Sequence, residues 1–200
     1  MNSTKCDAFL KYKNDFSVLW GFHGTTDESY NKIKEGRNFK CNKRKDHWLG
    51  NGVYFFLNDP LKAQWWAGMA VRKVKRKSKH TSDIKKAVIC CKIKVKNNKL
   101  LDLDTKVGRV ELRKFIHELK NTDSPSFSDE SDHNVHVLLC QIIDIMVTYC
   151  QYDVVKYNFL DENDKTRMIS YGIKSHGQQV TVFNQKVIDF NNLEGEIYDA

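Results

Sequence analysis

Three separated pieces of this sequence combine glycine with polar and aromatic side chains of the kind that line ligand pockets. The first is the tripeptide His-Gly-Thr at 23–25, which ends an apolar run at 17–22. The second is Leu-Gly-Asn-Gly-Val-Tyr-Phe at 49–55, and the third is Gly-Gln-Gln-Val-Thr-Val-Phe-Asn at 177–184. Glycine lets a backbone approach a ligand closely, while aromatic rings and amides orient the ligand. Taken singly, each piece also fits an ordinary turn or core strand.

Together, the order and spacing of the three pieces resemble the ADP-ribosyltransferase superfamily, in its poly(ADP-ribose) polymerase and diphtheria-toxin (His-Tyr-Glu) branch. That family has His-Gly-(Thr/Ser) on its first strand, and Gly-x-Gly-(Ile/Val)-Tyr-Phe before a helix that carries an alanine and an aromatic residue. A catalytic residue, commonly Glu, opens a late strand. Here HGT at 23–25, GNGVYFF at 50–56 and KAQWWA at 62–67 match the first two motifs, and GQQVTVFNQKVI at 177–188 has the shape of the third. The resemblance spans about residues 17–190.

The resemblance implies that the chain uses NAD+ as a substrate. The Gly24 backbone would pair with the carboxamide, and Tyr54 and Trp65 would sandwich the nicotinamide ring, where cation–π stacking contributes on the order of 0.5–2 kcal/mol. His23 would donate a hydrogen bond to a ribose hydroxyl, supported by Thr25. The implied NAD+-binding residues are His23, Gly24, Thr25, Tyr54, Ala63 and Trp65, and the implied catalytic residues are His23, Tyr54 and Gln179.

The position of the family's catalytic glutamate is occupied here by glutamine, Gln179 by strand alignment, with Gln178 beside it. A register shift of one residue would exchange the two and turn the other side chain toward the cleft. Glutamine can hydrogen-bond a ribose hydroxyl, but it cannot ionise, stabilise a cation by charge or act as a general base. The expected reaction is therefore the transfer of a single ADP-ribose or the hydrolysis of NAD+, not the elongation of an ADP-ribose chain. The sequence also leaves open the possibility that the protein is an inactive enzyme.

Three functions remain open from the sequence. The first is a mono-ADP-ribosyltransferase, of the toxin or defence-effector kind, that modifies a protein or nucleic acid and could have a neutralising partner protein. The second, motivated by the missing glutamate, is a non-catalytic module that binds NAD+ or ADP-ribose. The third is a basic nucleic-acid-binding domain with coincidental motifs. The basic runs at 42–45 and 72–79 suit a phosphate backbone, although a solvated surface explains them equally well.

The composition of the chain bears on its domain number, its partners and its location. Two hundred residues that are 40% hydrophobic fit one globular domain over 1–200, and the net charge of +8 favours polyanionic partners. No signal-peptide pattern opens the chain, and its longest apolar stretch, 137–150, is too short for a membrane span and contains Gln141 and Asp144. A cytoplasmic protein without membrane contact is therefore expected. The six cysteines lack metal-ligand spacing, so no metal is expected.

The elements that must position the three motifs are predicted from periodicity, capping residues and turn signals. Strands are predicted at 17–22, 53–57, 87–96, 153–157, 167–173 and 178–184, and helices at 26–36, 60–77, 107–119 and 135–150. The helix at 60–77 has an apolar stripe of Ala63, Trp66, Ala67, Ala70, Val71 and Val74, with Trp65 about 100° away from Trp66. The acidic, serine-rich segment 121–134 is predicted to be a mobile loop. A strand, then helices, then strands predict an α+β fold: a split, mostly antiparallel sheet flanked by helices, as in ADP-ribosyltransferases.

Overall fold

The computed structural model describes residues 15–45, 47–77, 83–121, 135–160 and 176–199. The strands in these ranges are β1 Phe16–Thr26, β2 Val53–Leu57, β3 Lys86–Lys96, β4 Leu100–Asp102, β5 Val154–Leu160, β6 His176–Val182 and β7 Glu194–Tyr198. The helices are α1 Asp27–Gly36, α2 Pro60–Lys77, α3 Lys106–Asn121 and α4 Val135–Cys150. Short 3-10 turns occupy Asn97–Lys99, Gln185–Val187 and Phe190–Asn192.

The described strands form one seven-stranded sheet in the order β4-β5-β6-β2-β1-β3-β7. Strands β4 and β5 are parallel, and every other neighbouring pair is antiparallel. The predicted α+β fold with a mostly antiparallel sheet is therefore confirmed. Strand β1 pairs with β3 along its whole length, but with β2 only at Gly21↔Leu57 and Phe22↔Phe56. Beyond Phe22 the two central strands part.

One face of the sheet packs against α1 and the segment that follows β6. The alternation predicted for β3 is confirmed there, since Cys91, Ile93 and Val95 are fully buried while Lys94 is exposed. The large buried side chains of this core come from the strands, from α1 and from the loop after α1. They include Tyr30, Ile33, Phe39, Val53, Phe55, Leu57, Ile89, Val180 and Ile188.

The opposite face carries helices on both sides of β2 and β6. Helix α2 packs on β1 and β3, while α3 and α4 pack around β4 and β5. The second core contains Leu101, Phe115, Ile143, Met146 and Val155. Helix α2 lies over one end of this face, and α3 and α4 lie over the other end. The strands between them, β2 and β6, form the floor of a cleft.

Local chemistry explains where the two helices nearest the cleft begin and end. Thr26 caps α1, its hydroxyl accepting from the Ser29 N–H at 3.2 Å, and Arg37 follows the helix with a left-handed φ of 49°. Helix α2 has Pro60 at its first position, and the Asp59 carboxylate accepts from the Lys62 N–H at 3.0 Å. These starts agree with the predicted ones.

Some predicted features lie outside the described residues. They are the strand at 167–173, the segment 122–134 of the predicted mobile loop, and positions 78–79 at the end of the second basic run. Among the helices that are described, none combines the length and apolar character needed to cross a membrane.

Candidate functional site

A cavity of about 420 Å³ lies at the end of the sheet where β1 and β2 part. Its volume is within the range of small-molecule sites. It brings together four of the predicted site residues, His23 and Gly24 from β1, Tyr54 from β2 and Gln179 from β6. Residues from the loop between α1 and β2 and from α2 complete its walls. The three motifs that are far apart in sequence therefore meet around one space.

Three predicted residues do not line this cavity. Thr25 is only 9% exposed and Ala63 is fully buried, so both belong to the packing behind the wall. Trp65 was expected to face the cleft, but it is 61% exposed and does not line the cavity. Trp66, which is 49% exposed, lines the cavity together with Trp48.

The position of Trp66 follows from how α2 packs on β1. A Cβ atom added to Gly24 would lie 1.9 Å from the Ala63 carbonyl oxygen and 2.6 Å from the Ala67 nitrogen, so the helix backbone touches the strand. With Ala63 and Ala67 against the sheet, the side chain about 100° away from Ala67 reaches the cavity. That residue is Trp66, and a further 100° carries Trp65 into solvent. The apolar stripe therefore consists of Ala63, Ala67 and Val71, without Trp66.

His23 bridges the gap between the parted strands. Its Nδ1 lies 2.8 Å from the Tyr54 carbonyl oxygen, which can only accept, so Nδ1 carries the proton. Its ring centroid lies 5.2 Å from that of Phe39 and 5.7 Å from that of Phe55. Burial lowers the pKa of His23, and the hydrogen bond to Tyr54 offsets this in part. A neutral ring protonated at Nδ1 has an acceptor at Nε2, so His23 is set to accept from a ligand hydroxyl, not to donate as expected.

The Tyr54 hydroxyl is bound to the loop that precedes β2. It donates to the Gly50 carbonyl oxygen at 2.9 Å and accepts from the Leu49 N–H at 2.7 Å. Burial raises the pKa of Tyr54 far above its ordinary value, so the phenol stays neutral and offers no phenolate to act as a base near neutral pH. The His47 ring meets Tyr54 edge-on, with centroids 5.3 Å apart. Tyr54 therefore contributes ring surface to the site.

A carboxylate on α4 holds that loop in place. Both oxygens of Asp144 accept from Asn51, one from its backbone N–H and one from its side-chain amide, each at 2.6 Å. Gly50 adopts φ 77°, and a Cβ atom there would lie 2.6 Å from an Asp144 oxygen. In the sequence, Asp144 stands out only as a break in an apolar stretch. The Gly-Asn-Gly motif marked the loop, but nothing in the sequence marked its distant partner.

The register of β6 resolves the ambiguity between the two glutamines. Gln179 is the partner of Phe56 on β2, shares its face and lines the cavity. Gln178 points to the other face, where its amide donates to the Asp104 carboxylate at 3.3 Å. Gln179 is therefore the glutamine of the pair that faces the cavity.

The walls of the cavity are positively charged. Lys40 and Arg44 come from the loop after α1, and Lys73 from α2, two helical turns after Trp66. The lining residues that the structure describes include no aspartate or glutamate. Trp48 and Trp66 add aromatic surface. The cavity is therefore suited to an anionic ligand with a flat ring. Lys73 belongs to the basic run 72–79 that the sequence linked to phosphate, whereas Lys40, Trp48 and Trp66 were not predicted to line the site.

Comparisons with known proteins give one relative of undetermined function. The chain is 31% identical over 101 residues to the uncharacterized protein MJ0359 of Methanocaldococcus jannaschii, a match that covers 50% of this chain. The chain spans less than half of that relative, 44% of its length. No family model matches the sequence, and no solved structure matches it.

Proposed function

We propose that this chain is a mono-ADP-ribosyltransferase that binds NAD+ in the cavity between β1, β2 and α2. The observation that carries the proposal is the convergence of His23, Gly24, Tyr54 and Gln179 on one cavity from three distant segments. Such a convergence is what the resemblance to ADP-ribosyltransferases requires, and independent turns or core strands would have no reason to produce it.

In the proposed complex the nicotinamide ring lies between Tyr54 and Trp66, and the pyrophosphate faces the cationic wall that includes Lys40 and Lys73. The edge of β1 toward β2 is unpaired at Gly24, so its backbone is accessible to the carboxamide. The Nε2 atom of His23 accepts from a ribose hydroxyl.

The reaction would break the bond between C1′ of the ribose and the nicotinamide nitrogen. The electron pair of that bond leaves with nicotinamide, a nucleophile on the acceptor forms the new bond to C1′, and the nucleophile's proton passes to water. Gln179 fixes the ribose through its amide but supplies no charge to the developing cation. The residues therefore act by orientation and by holding the ring in a dry slot.

A second candidate, a non-catalytic module that binds NAD+ or ADP-ribose, is favoured by one specific observation. The described lining residues include no carboxylate, so no negative charge faces the scissile bond. This candidate predicts stabilisation of the fold by NAD+ without release of nicotinamide.

The test follows nicotinamide release and labelled ADP-ribose during incubation of the protein with NAD+ and cell lysate. Release that is lost in Tyr54→Ala and Gln179→Ala supports the transferase, and the labelled fraction identifies the acceptor class. Gln179→Glu is expected to raise the rate at least tenfold, since it places a charge beside the developing cation. The matched control for Gln179→Ala is Gln178→Ala, which removes a side chain on the opposite face and is expected to leave the rate unchanged. A melting temperature raised by NAD+ without release would favour the binding module, and neither signal would overturn both candidates.

A further inference from the structure

Among the described residues, no helix or loop fully covers the sheet face that carries the cavity at the far end of β1. Phe16, Val18 and Trp20 alternate along the strand, so all three point to the same face. They are 49%, 47% and 47% exposed, although they are large apolar side chains in the regular part of a sheet. A row of this kind is typical of a binding surface rather than of scattered surface residues.

Lysines of β3 stand directly opposite these side chains. Lys96 is the register partner of Phe16 and Lys94 that of Val18, and the Lys94 ammonium lies 4.8 Å from the centroid of the Phe16 ring. We call this surface the β1 platform; it consists of Phe16, Val18, Trp20, Lys94 and Lys96.

We propose that the β1 platform binds single-stranded nucleic acid. Exposed aromatic rings on a sheet stack against unpaired bases, and lysines between the rings neutralise the phosphates of the same strand. Phe16 and Trp20 are four residues apart, about 13 Å along the strand, which leaves room for successive bases on the two rings. The net charge of +8 attracts any polyanion to the chain.

Alternative partners fit the chemistry of the platform less well. The centres of protein interfaces are depleted in lysine, whereas here lysines face the apolar row directly. Double-stranded nucleic acid presents phosphates but keeps its base faces stacked inside, so it would leave the rings of Phe16 and Trp20 without a partner. Of these three partners, an unpaired strand is the one that uses both the rings and the cations.

The platform leads to the cavity along one face of the sheet. The same alternation that places Phe16 and Trp20 continues through Phe22 to Gly24, and the register partner of Phe22 is Phe56, which lines the cavity. A strand bound on the platform would therefore extend toward the cavity past Phe22 and Phe56, beside the point where α2 packs on Gly24. Single-stranded nucleic acid is then the acceptor class of the transferase, a statement that rests on the proposed function, whereas binding to the platform does not.

The binding experiment uses the full chain without NAD+ and measures the fluorescence anisotropy of a labelled oligo-dT of about 12 nucleotides at several salt concentrations. The single strand is expected to bind at least tenfold more tightly than the same strand in a duplex. Trp20→Ala is expected to weaken binding about tenfold, as for the loss of one stacked base. Lys94→Glu combined with Lys96→Glu should lower the slope of log affinity against log salt by about 1.4. Trp65→Ala removes an exposed tryptophan outside the platform, and it is the control expected to bind normally.

The proposal would be overturned if the chain did not bind the oligonucleotide, or if it bound the duplex as tightly as the single strand. It would also be overturned if Trp65→Ala weakened binding as much as Trp20→Ala. Self-association of the chain that Trp20→Ala abolishes, without binding of the oligonucleotide, would also overturn it and would assign the platform to a second copy. The melting temperature of each variant is measured with and without NAD+. If NAD+ raises the melting temperature of Trp20→Ala as much as that of the native chain, the substitution has affected the platform and not the cavity. Binding of the strand without nicotinamide release would leave the platform in place and remove the acceptor role alone.

Discussion

Residues at the two ends of strand β1 lie on the same face of the sheet, but the two ends have different surroundings. At one end Gly24 lies against the backbone of α2 and lines a cavity. At the other end Phe16 and Trp20 are about half exposed, with lysines of β3 opposite them. The cavity end is packed against a helix, whereas the other end presents apolar side chains to solvent. A helix that packs closely on a strand demands glycine there, whereas an uncovered strand tolerates large aromatic residues.

The largest expected difference between the two ends is in tolerance to substitution. Gly24→Val places side-chain atoms where the Ala63 carbonyl oxygen stands, and should lower the free energy of unfolding by about 4 kcal/mol or more. Urea denaturation measures this loss. The control Gly68→Ala, within α2, has open space for a Cβ atom and should stabilise by about 0.5–1 kcal/mol. A mild effect of Gly24→Val would show that the helix and strand are not in close contact.

A smaller effect is expected at the far wall of the cavity. Asp144→Ala leaves two donors of Asn51 without acceptors and should cost about 2–3 kcal/mol in stability. The same substitution should weaken NAD+ binding, because the loop that holds the Tyr54 hydroxyl loses its anchor. Gln141→Ala, one turn earlier on an exposed position of α4, is the control and should change stability by less than about 0.5 kcal/mol. Equal stability of the two variants would contradict the role of Asp144.

The two adjacent tryptophans of α2 provide a sharper test of the cavity itself. Trp66→Ala should weaken NAD+ binding about tenfold, since a stacked cationic ring loses about 0.5–2 kcal/mol. Trp65→Ala should weaken it less, because Trp65 does not line the cavity and only packs on the Trp66 ring, with centroids 5.7 Å apart. Isothermal titration calorimetry with NAD+ measures both. If Trp65→Ala weakened NAD+ binding more than Trp66→Ala, the nicotinamide would contact Trp65, as the resemblance implied.

The pH dependence of stability should carry the signature of a buried neutral histidine. The pKa of His23 is lowered by burial, so below its unfolded-state value of about 6.5 the unfolded chain takes up a proton that the folded chain does not. His23 therefore destabilises the fold progressively as the pH falls from about 6.5 toward the lowered pKa, and has no such effect above that range. The free energy of unfolding of the native chain and of His23→Gln is measured from pH 8 to 5. As the pH falls, the native chain should lose stability relative to the variant. A constant difference would place His23 in contact with solvent.

The smallest effect on stability is expected at the open end of β1. Val18→Thr keeps β-branching on a half-exposed position and should change the free energy of unfolding by less than about 0.5 kcal/mol. Thermal denaturation, compared with Gly24→Val on the same strand, measures the contrast. A large loss would mean that the platform is covered by other parts of the chain and is not available to a partner.

Much of the fold was determined by the sequence itself, because periodicity and capping are local. The alternation of Cys91, Ile93 and Val95 with lysines specified which face of β3 is buried, and Thr26 and Pro60 specified where α1 and α2 begin. The three motifs also indicated which segments would meet. The alternation and the helix caps depend on neighbours within a few residues, so they can be read without the tertiary structure, whereas the meeting of the motifs was implied by the resemblance to ADP-ribosyltransferases.

The tertiary structure alone decided which side chains of those segments face the cavity. A helical pattern could not choose between Trp65 and Trp66, because the choice depends on the rotation that the contact with Gly24 imposes on α2. The choice between Gln178 and Gln179 depended on the register between β6 and β2, since a shift of one residue exchanges the faces of a strand. The tautomer of His23 and the role of Asp144 follow from contacts across 31 and 93 residues of sequence. Such contacts leave no local pattern, because their partners become neighbours only when the chain folds.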